Sequence, residues 1–153
     1  HKTVSDIICS PVTGRVIPLS DVPDEAFKTE VLGKGVAVIP YDNNLYAVAS
    51  GVVETVAETG HAISILCDNG AEILLHIGID TVKLKGRYFE AKVKNGQKIR
   101  KGDLLITFDR ESALKEGFNM TITVIVCNHD EFTKIEIIGK NDINNGDDLM
   151  KII

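Results

Sequence analysis

Short runs of Val, Ile and Leu recur along the whole chain, and each is cut off within a few residues by Gly, Asn or Asp. The clearest fall at 35–39, 51–56, 62–67, 73–79, 104–108 and 120–127. Runs this short and this rich in β-branched residues read as strands, because branched side chains pack well on a pleated surface. No segment holds a 3.6-residue apolar period over the length of an ordinary helix. Two short helices fit the gaps. One is expected at 111–116, with Asp109 or Arg110 in the cap region and Gly117 ending it. The other is a single turn after Pro23, at 24–27. Strands at this spacing, joined by tight turns, predict an all-β fold: an antiparallel β-sandwich or barrel with one or two short helices. Two faint echoes leave a duplicated β motif open. Pro11-Val12-Thr13-Gly14-Arg15-Val16 resembles Val48-Ala49-Ser50-Gly51-Val52-Val53, and Gly102-Asp103-Leu104-Leu105 resembles Gly146-Asp147-Asp148-Leu149.

The 153 residues suit a single domain over 1–153. The chain opens at His1 rather than Met, which fits a domain cut from a longer protein or a tag remnant. The net charge is −5 and no basic run exists, so nucleic acid is not an expected partner. No apolar stretch reaches the ~18 residues a membrane helix needs, and no secretory signal is legible. A cytoplasmic protein without direct membrane insertion is therefore expected. Cys9, Cys67 and Cys127 are scattered and form no Cys-x-x-Cys pair, which fits reduced thiols.

The segment from Thr59 to Asp80 is the most informative. Asp68-Asn69-Gly70 reads as a hairpin turn, since Asn and Gly tolerate the left-handed backbone such a turn needs. In the strand after it, Ile73, Leu75, Ile77 and Ile79 alternate as a core face. Glu72, Leu74, His76 and Gly78 lie on the other face, so His76 points away from the core, with Gly78 leaving open space beside it. A three-residue loop at 68–70 places Ala62 opposite His76 and keeps Ile63 and Ile65 inward. A two-residue loop places His61 opposite His76 but turns those isoleucines outward. The three-residue loop is preferred, and it requires a bulge or bend at Gly60-His61 to bring the two imidazoles together.

At these residues the chain resembles the glucose-family IIA domain of the bacterial phosphoenolpyruvate-dependent sugar phosphotransferase system. The resemblance runs through Ser10-Pro11-Val12-Thr13-Gly14, Leu19-Ser20-Asp21-Val22-Pro23-Asp24 and Gly33-Lys34-Gly35-Val36-Ala37-Val38-Ile39-Pro40. It peaks at Thr59-Gly60-His61-Ala62 and at His76-Ile77-Gly78-Ile79-Asp80-Thr81-Val82-Lys83-Leu84-Lys85-Gly86. It implies a β-sandwich or barrel. It also implies that His76 carries a phosphoryl group on Nε2, that His61 supports it, and that Thr59 hydrogen-bonds His61. Asp24 and Asp80 fall where relatives meet an arginine of the phosphocarrier HPr. Phe27, Leu32, Ala57, Leu74 and Val82 fall on an exposed apolar collar. Some relatives carry aromatics where this chain has Ala57 and Leu74.

The implied function is a phosphoryl carrier: a phosphotransferase component that accepts phosphate from phospho-HPr on His76. It would donate the group to a cysteine of the IIB domain during sugar uptake. Imidazole suits this, because its ordinary pKa near 6.5 leaves it largely neutral and nucleophilic at neutral pH. No cofactor is expected. The competing reading is a regulatory binding module whose apolar face holds permeases or metabolic enzymes until phosphorylation adds charge. A zinc hydrolase of the lysostaphin type is disfavoured, since such a site takes about three protein ligands and no His-x-His is present. Incidental zinc capture by His61 and His76 stays open. His129 reads as a loop residue.

Overall fold

A computed structural model describes residues 6–153 of the chain, so His1 lies outside the described residues. Among the described residues, fourteen strands follow in chain order. The first three are β1 (Ile7–Cys9), β2 (Gly14–Pro18) and β3 (Lys34–Pro40), with the four-residue helix α1 (Glu25–Lys28) between the last two. Next come β4 (Asn44–Tyr46), β5 (Gly51–Val56), β6 (Ala62–Cys67), β7 (Glu72–Ile77), β8 (Phe89–Ala91), β9 (Lys98–Ile99) and β10 (Leu104–Phe108). Helix α2 (Arg110–Lys115) then leads to β11 (Ile122–Val126), β12 (Ile135–Ile137), β13 (Asp142–Ile143) and β14 (Asp148–Ile152).

Every strand pair is antiparallel, and the chain is an all-β sandwich. One sheet has eight strands in the order β13-β2-β3-β11-β7-β6-β5-β9, and two three-stranded sheets run β1-β14-β12 and β4-β10-β8. The helices are where they were expected, and each starts on an aspartate. The Asp24 carboxylate accepts from the Ala26 N–H in α1, and Asp109 accepts from the Ser112 N–H in α2. Gly117, at φ +92°, ends the second helix in the left-handed conformation glycine adopts freely.

The topology repeats. Read inward from its two edges, the large sheet runs β13-β2-β3-β11 and β9-β5-β6-β7, and each half has its own three-stranded sheet. The echoes in sequence fall at matching places. Gly14 opens β2 and Gly51 opens β5. Asp147 accepts from the Asn144 N–H at 3.0 Å, and Asp103 accepts from the Arg100 N–H at 2.8 Å. One copy, β4 to β10, is contiguous and sits between β3 and β11 of the other.

The main core lies between the sheets and holds Ile63, Ile65, Ile73, Leu75 and Ile77, all buried. A second, smaller cluster sits on the outer face of the large sheet. There Leu19, Val22 and Phe27 from the β2–β3 connection pack with Ala37 and Ile125. One expectation needs correcting at the end of β7. The strand stops at Ile77 rather than continuing to residue 79, because Gly78 turns at φ +80°. Ile79 consequently joins the outer cluster and not the main core. Nor is there open space at Gly78: a Cβ there would come within 2.4 Å of Thr81 Cγ2.

Candidate functional site

The β6–β7 hairpin has the three-residue loop, with the Cys67 N–H donating to Ala71 O at 2.9 Å. Ala62 is therefore the cross-strand partner of His76, and Thr123 is its partner on β11. His76 lies on the outer face of the large sheet and is half-buried. Its Nδ1 is 2.8 Å from the carbonyl oxygen of Gly78. A carbonyl can only accept, so Nδ1 carries the proton and Nε2 keeps its lone pair. The turn at Gly78 that ends the strand is what brings this carbonyl back to the ring.

His61 immediately precedes β6. The bend needed to bring it to His76 is a tight turn: the Gly60 N–H donates to Ala57 O at 2.8 Å, and Gly60 has φ +77°. It is a turn ahead of the strand rather than a bulge within it. The two imidazoles meet edge to face, with centroids 5.1 Å apart at 82°. Thr59 Oγ1 lies 2.7 Å from His61 Nδ1. Burial pushes the pKa of His61 down, and the nearby His76 pushes it further the same way. Burial also pulls His76 down, against the opposing pull of the Gly78 carbonyl and the Asp24 and Asp80 carboxylates. Both rings are thereby biased toward the neutral form.

The surroundings depart from the expected exposed collar at Phe27, Ala57 and Leu74, most of all at Phe27. Phe27 was expected on an exposed collar, yet it is only 4% exposed and packs on His76, with ring centroids 5.2 Å apart. An aromatic with an apolar sheet face beside it buries there, contributing about 1.5–3 kcal/mol. Leu74 and Ala57 are half-buried. Leu32 and Val82 are exposed, at 40% and 55%. Val31, which the sequence did not single out, is the most exposed large apolar residue among the described residues, at 76%. Asp24 is tied to α1 as its cap. Asp80 stands in the left-handed conformation with no side-chain cap bond. Sequence reasoning also missed the Gly78 carbonyl, whose only sign was the spacing His76-Ile77-Gly78, and Phe89, whose ring lies 6.4 Å from that of His61. Only His61 and His76 offer metal-ligating nitrogens here. Among the described residues, no group of three or more His, Cys, Asp or Glu is placed to hold a metal ion.

Residues 6–132 match the family described as phosphoenolpyruvate-dependent sugar phosphotransferase system, EIIA 1. The chain belongs to this family. It is similar to a protein of Halalkalibacterium halodurans named PTS system beta-glucoside-specific EIIBCA component, at 42% identity over 145 residues. That match covers 95% of this chain and 23% of the relative. A Bacillus subtilis protein of the same name is 44% identical over 142 residues, covering 92% of this chain and 23% of the relative. The chain thus spans under a quarter of the length of these curated relatives. Among solved structures, glucose permease IIA from Mycoplasma capricolum superposes with a TM-score of 0.84 at 36% identity. The superposition covers 94% of this chain and 93% of that one. No helix among the described residues is long and apolar enough to cross a membrane.

Proposed function

We propose that this EIIA domain carries a phosphoryl group on Nε2 of His76 between two protein partners in the cytoplasm. The observation that carries the reading is the hydrogen bond from Nδ1–H to the Gly78 carbonyl, which leaves the Nε2 lone pair for attack. In the first step that lone pair bonds to phosphorus and the bond to the donor atom of HPr breaks. In the second, a cysteine thiolate of the IIB domain bonds to phosphorus and the Nε2–P bond breaks, returning the lone pair to His76.

Phosphoryl transfer of this kind needs positioning and charge stabilisation more than covalent help. With the Thr59 hydroxyl donating to Nδ1 of His61, the remaining proton sits on Nε2 of that ring, where it can bond a phosphoryl oxygen. Phe27 packs against His76 and limits its rotation. Leu32, Val31 and Val82 supply exposed apolar surface for docking, while Asp24 and Asp80 offer carboxylates to a partner arginine.

The test is incubation with phosphoenolpyruvate, enzyme I and HPr, followed by assay of acid-labile phosphate. Wild type is expected to label, and His76→Gln to lose the label entirely. His61→Gln is expected to label but to pass the group to IIB poorly. Normal labelling of both variants would remove the assignment.

A further inference from the structure

Loop 86–89 packs against the turn that carries His61, and no step of the proposed transfer has used it. The contact is close at three points. The Phe89 ring meets the His61 ring at 65° with centroids 6.4 Å apart. A Cβ on Gly60 would sit 3.1 Å from Phe89 Cβ, and one on Gly86 would sit 3.8 Å from Thr59 Cα. His61 therefore has two ring neighbours, His76 at 5.1 Å and Phe89 at 6.4 Å.

The loop itself holds an unfavourable shape. Tyr88 adopts φ +78°, and Lys85 just ahead of the loop φ +55°, left-handed backbone that is costly for residues with bulky side chains. What offsets it is a brace from helix α2. The Glu116 carboxylate accepts a hydrogen bond from the Tyr88 hydroxyl and pairs with Arg87 Nη1 at 2.8 Å. Arg87 Nε in turn donates to Leu84 O at 3.3 Å. The Asp109 N–H donates to Tyr88 O at 2.8 Å, and Phe89 then enters β8 opposite Phe108. Glu116 is the C-cap of α2, so the brace is anchored in regular structure.

We propose that Phe89 is a positioning residue for His61, and that Glu116 sets Phe89 through Tyr88 and Arg87. With Phe89 in place the His61 ring stays turned toward His76. Without it the imidazole gains room to swing away from a phosphoryl group on Nε2. The effect on transfer rests on the phosphotransfer reading above, whereas the effect on the His61 ring rests on geometry alone. An exposed ion pair such as Arg87–Glu116 ordinarily has little influence on anything but its own neighbours. An effect of Glu116 on His61 is therefore diagnostic.

The experiment uses the full chain, labelled with nitrogen-15, as wild type, Phe89→Ala, Phe89→Tyr, Tyr88→Phe and Glu116→Ala. The His61 ring resonances and their pH titration are read in the unphosphorylated protein. Acceptance from phospho-HPr and delivery to IIB are then timed separately. Phe89→Ala is expected to move the His61 resonances and slow delivery about tenfold, with a smaller effect on acceptance. Glu116→Ala and Tyr88→Phe are expected to follow in the same direction more weakly, and Phe89→Tyr to recover wild-type behaviour. A purely structural role would lower the melting temperature without moving the ring signals or the balance of the two rates. Should Phe89→Ala not fold, Glu116→Ala and Tyr88→Phe decide. Folded variants with wild-type His61 resonances would overturn the proposal. If wild type itself takes no phosphate, the transfer reading fails and the ring resonances alone decide the positioning claim.

Discussion

Under the proposed transfer, His76 has to meet two demands that usually conflict: burial enough to be held and exposure enough to react. Its Nδ1 is committed to the Gly78 carbonyl while the ring is only half-buried. Both imidazoles have their pKa lowered, His76 and His61 alike mainly by desolvation. They should titrate below the ordinary value of about 6.5 in a proton NMR titration of their ring signals. The sign for stability follows. Between the depressed folded values and about 6.5, the unfolded chain binds more protons than the native one. The contribution of neutral His61 and His76 to stability is fully present above about 6.5 and is lost as pH falls through the folded values. Denaturant midpoints measured from pH 7.5 downward should decline in that window, and His61→Gln should flatten the decline. A rise would contradict the burial argument. Next to His76 on β11 stands Thr123, buried with a hydroxyl that meets no hydrogen-bond partner among the described residues. An unpaired buried hydroxyl costs about 1–3 kcal/mol, so Thr123→Val should stabilise the protein by roughly 1 kcal/mol. The melting temperature should rise by about 2–4 °C, and a fall would mean the hydroxyl has a partner.

At the scale of elements, the β6–β7 hairpin was legible because parity and loop length constrain each other. Keeping Ile63 and Ile65 inward requires the three-residue loop, and the observed pairing of Ala62 with His76 is its consequence. Strands β6 and β10 could be bounded because a glycine or an aspartate stands within two residues of each end of the apolar run. The two-residue strands β9 and β13 could not be seen, since so short a segment carries no period. The site was legible in which residues it uses and less so in how they sit. Phe27 has the same sequence appearance whether it faces a partner or a histidine. Only the packing of the β2–β3 connection over Ala37 and Ile125 decides that. The end of β7 was misjudged because an apolar Ile79 continues the alternation past the point where Gly78 breaks it. That break has a consequence. Gly78→Ala places a Cβ 2.4 Å from Thr81 Cγ2 and 3.0 Å from Asn119 O, at a φ of +80°. It should destabilise the fold by about 2–3 kcal/mol in urea titrations. By moving the carbonyl it should also free Nδ1, so the His76 tautomer read from nitrogen-15 shifts becomes mixed. A variant with wild-type stability and an unmixed tautomer would show that the turn is not what holds the ring.

Across the whole molecule, the site is built where two similar halves differ in the connections that flank its sheet face. The link from β2 to β3 and the link from β5 to β6 occupy the same topological place in their respective halves. The first is long and delivers Phe27 through α1, while the second is a tight turn that delivers His61. Both converge on His76, at 5.2 Å and 5.1 Å. His76 itself lies on β7, the strand that joins the halves through its pairing with β11, from Ile77↔Ile122 to Ile73↔Val126. Because β4 to β10 interrupt the other copy between β3 and β11, pairing those two strands closes a loop that spans the whole inserted copy, whose compact fold holds the loop ends together. Neither half can then open alone without breaking the seam. Unfolding should be a single transition, with calorimetric and van't Hoff enthalpies equal. Under native conditions the amides of β7 and β11 should exchange only by global opening, at the same free energy as the core of each half. Two calorimetric transitions would show that the halves are separable, as would exchange at the seam that runs ahead of β3 and β6. The convergence of Phe27 and His61 on one ring would then need another support.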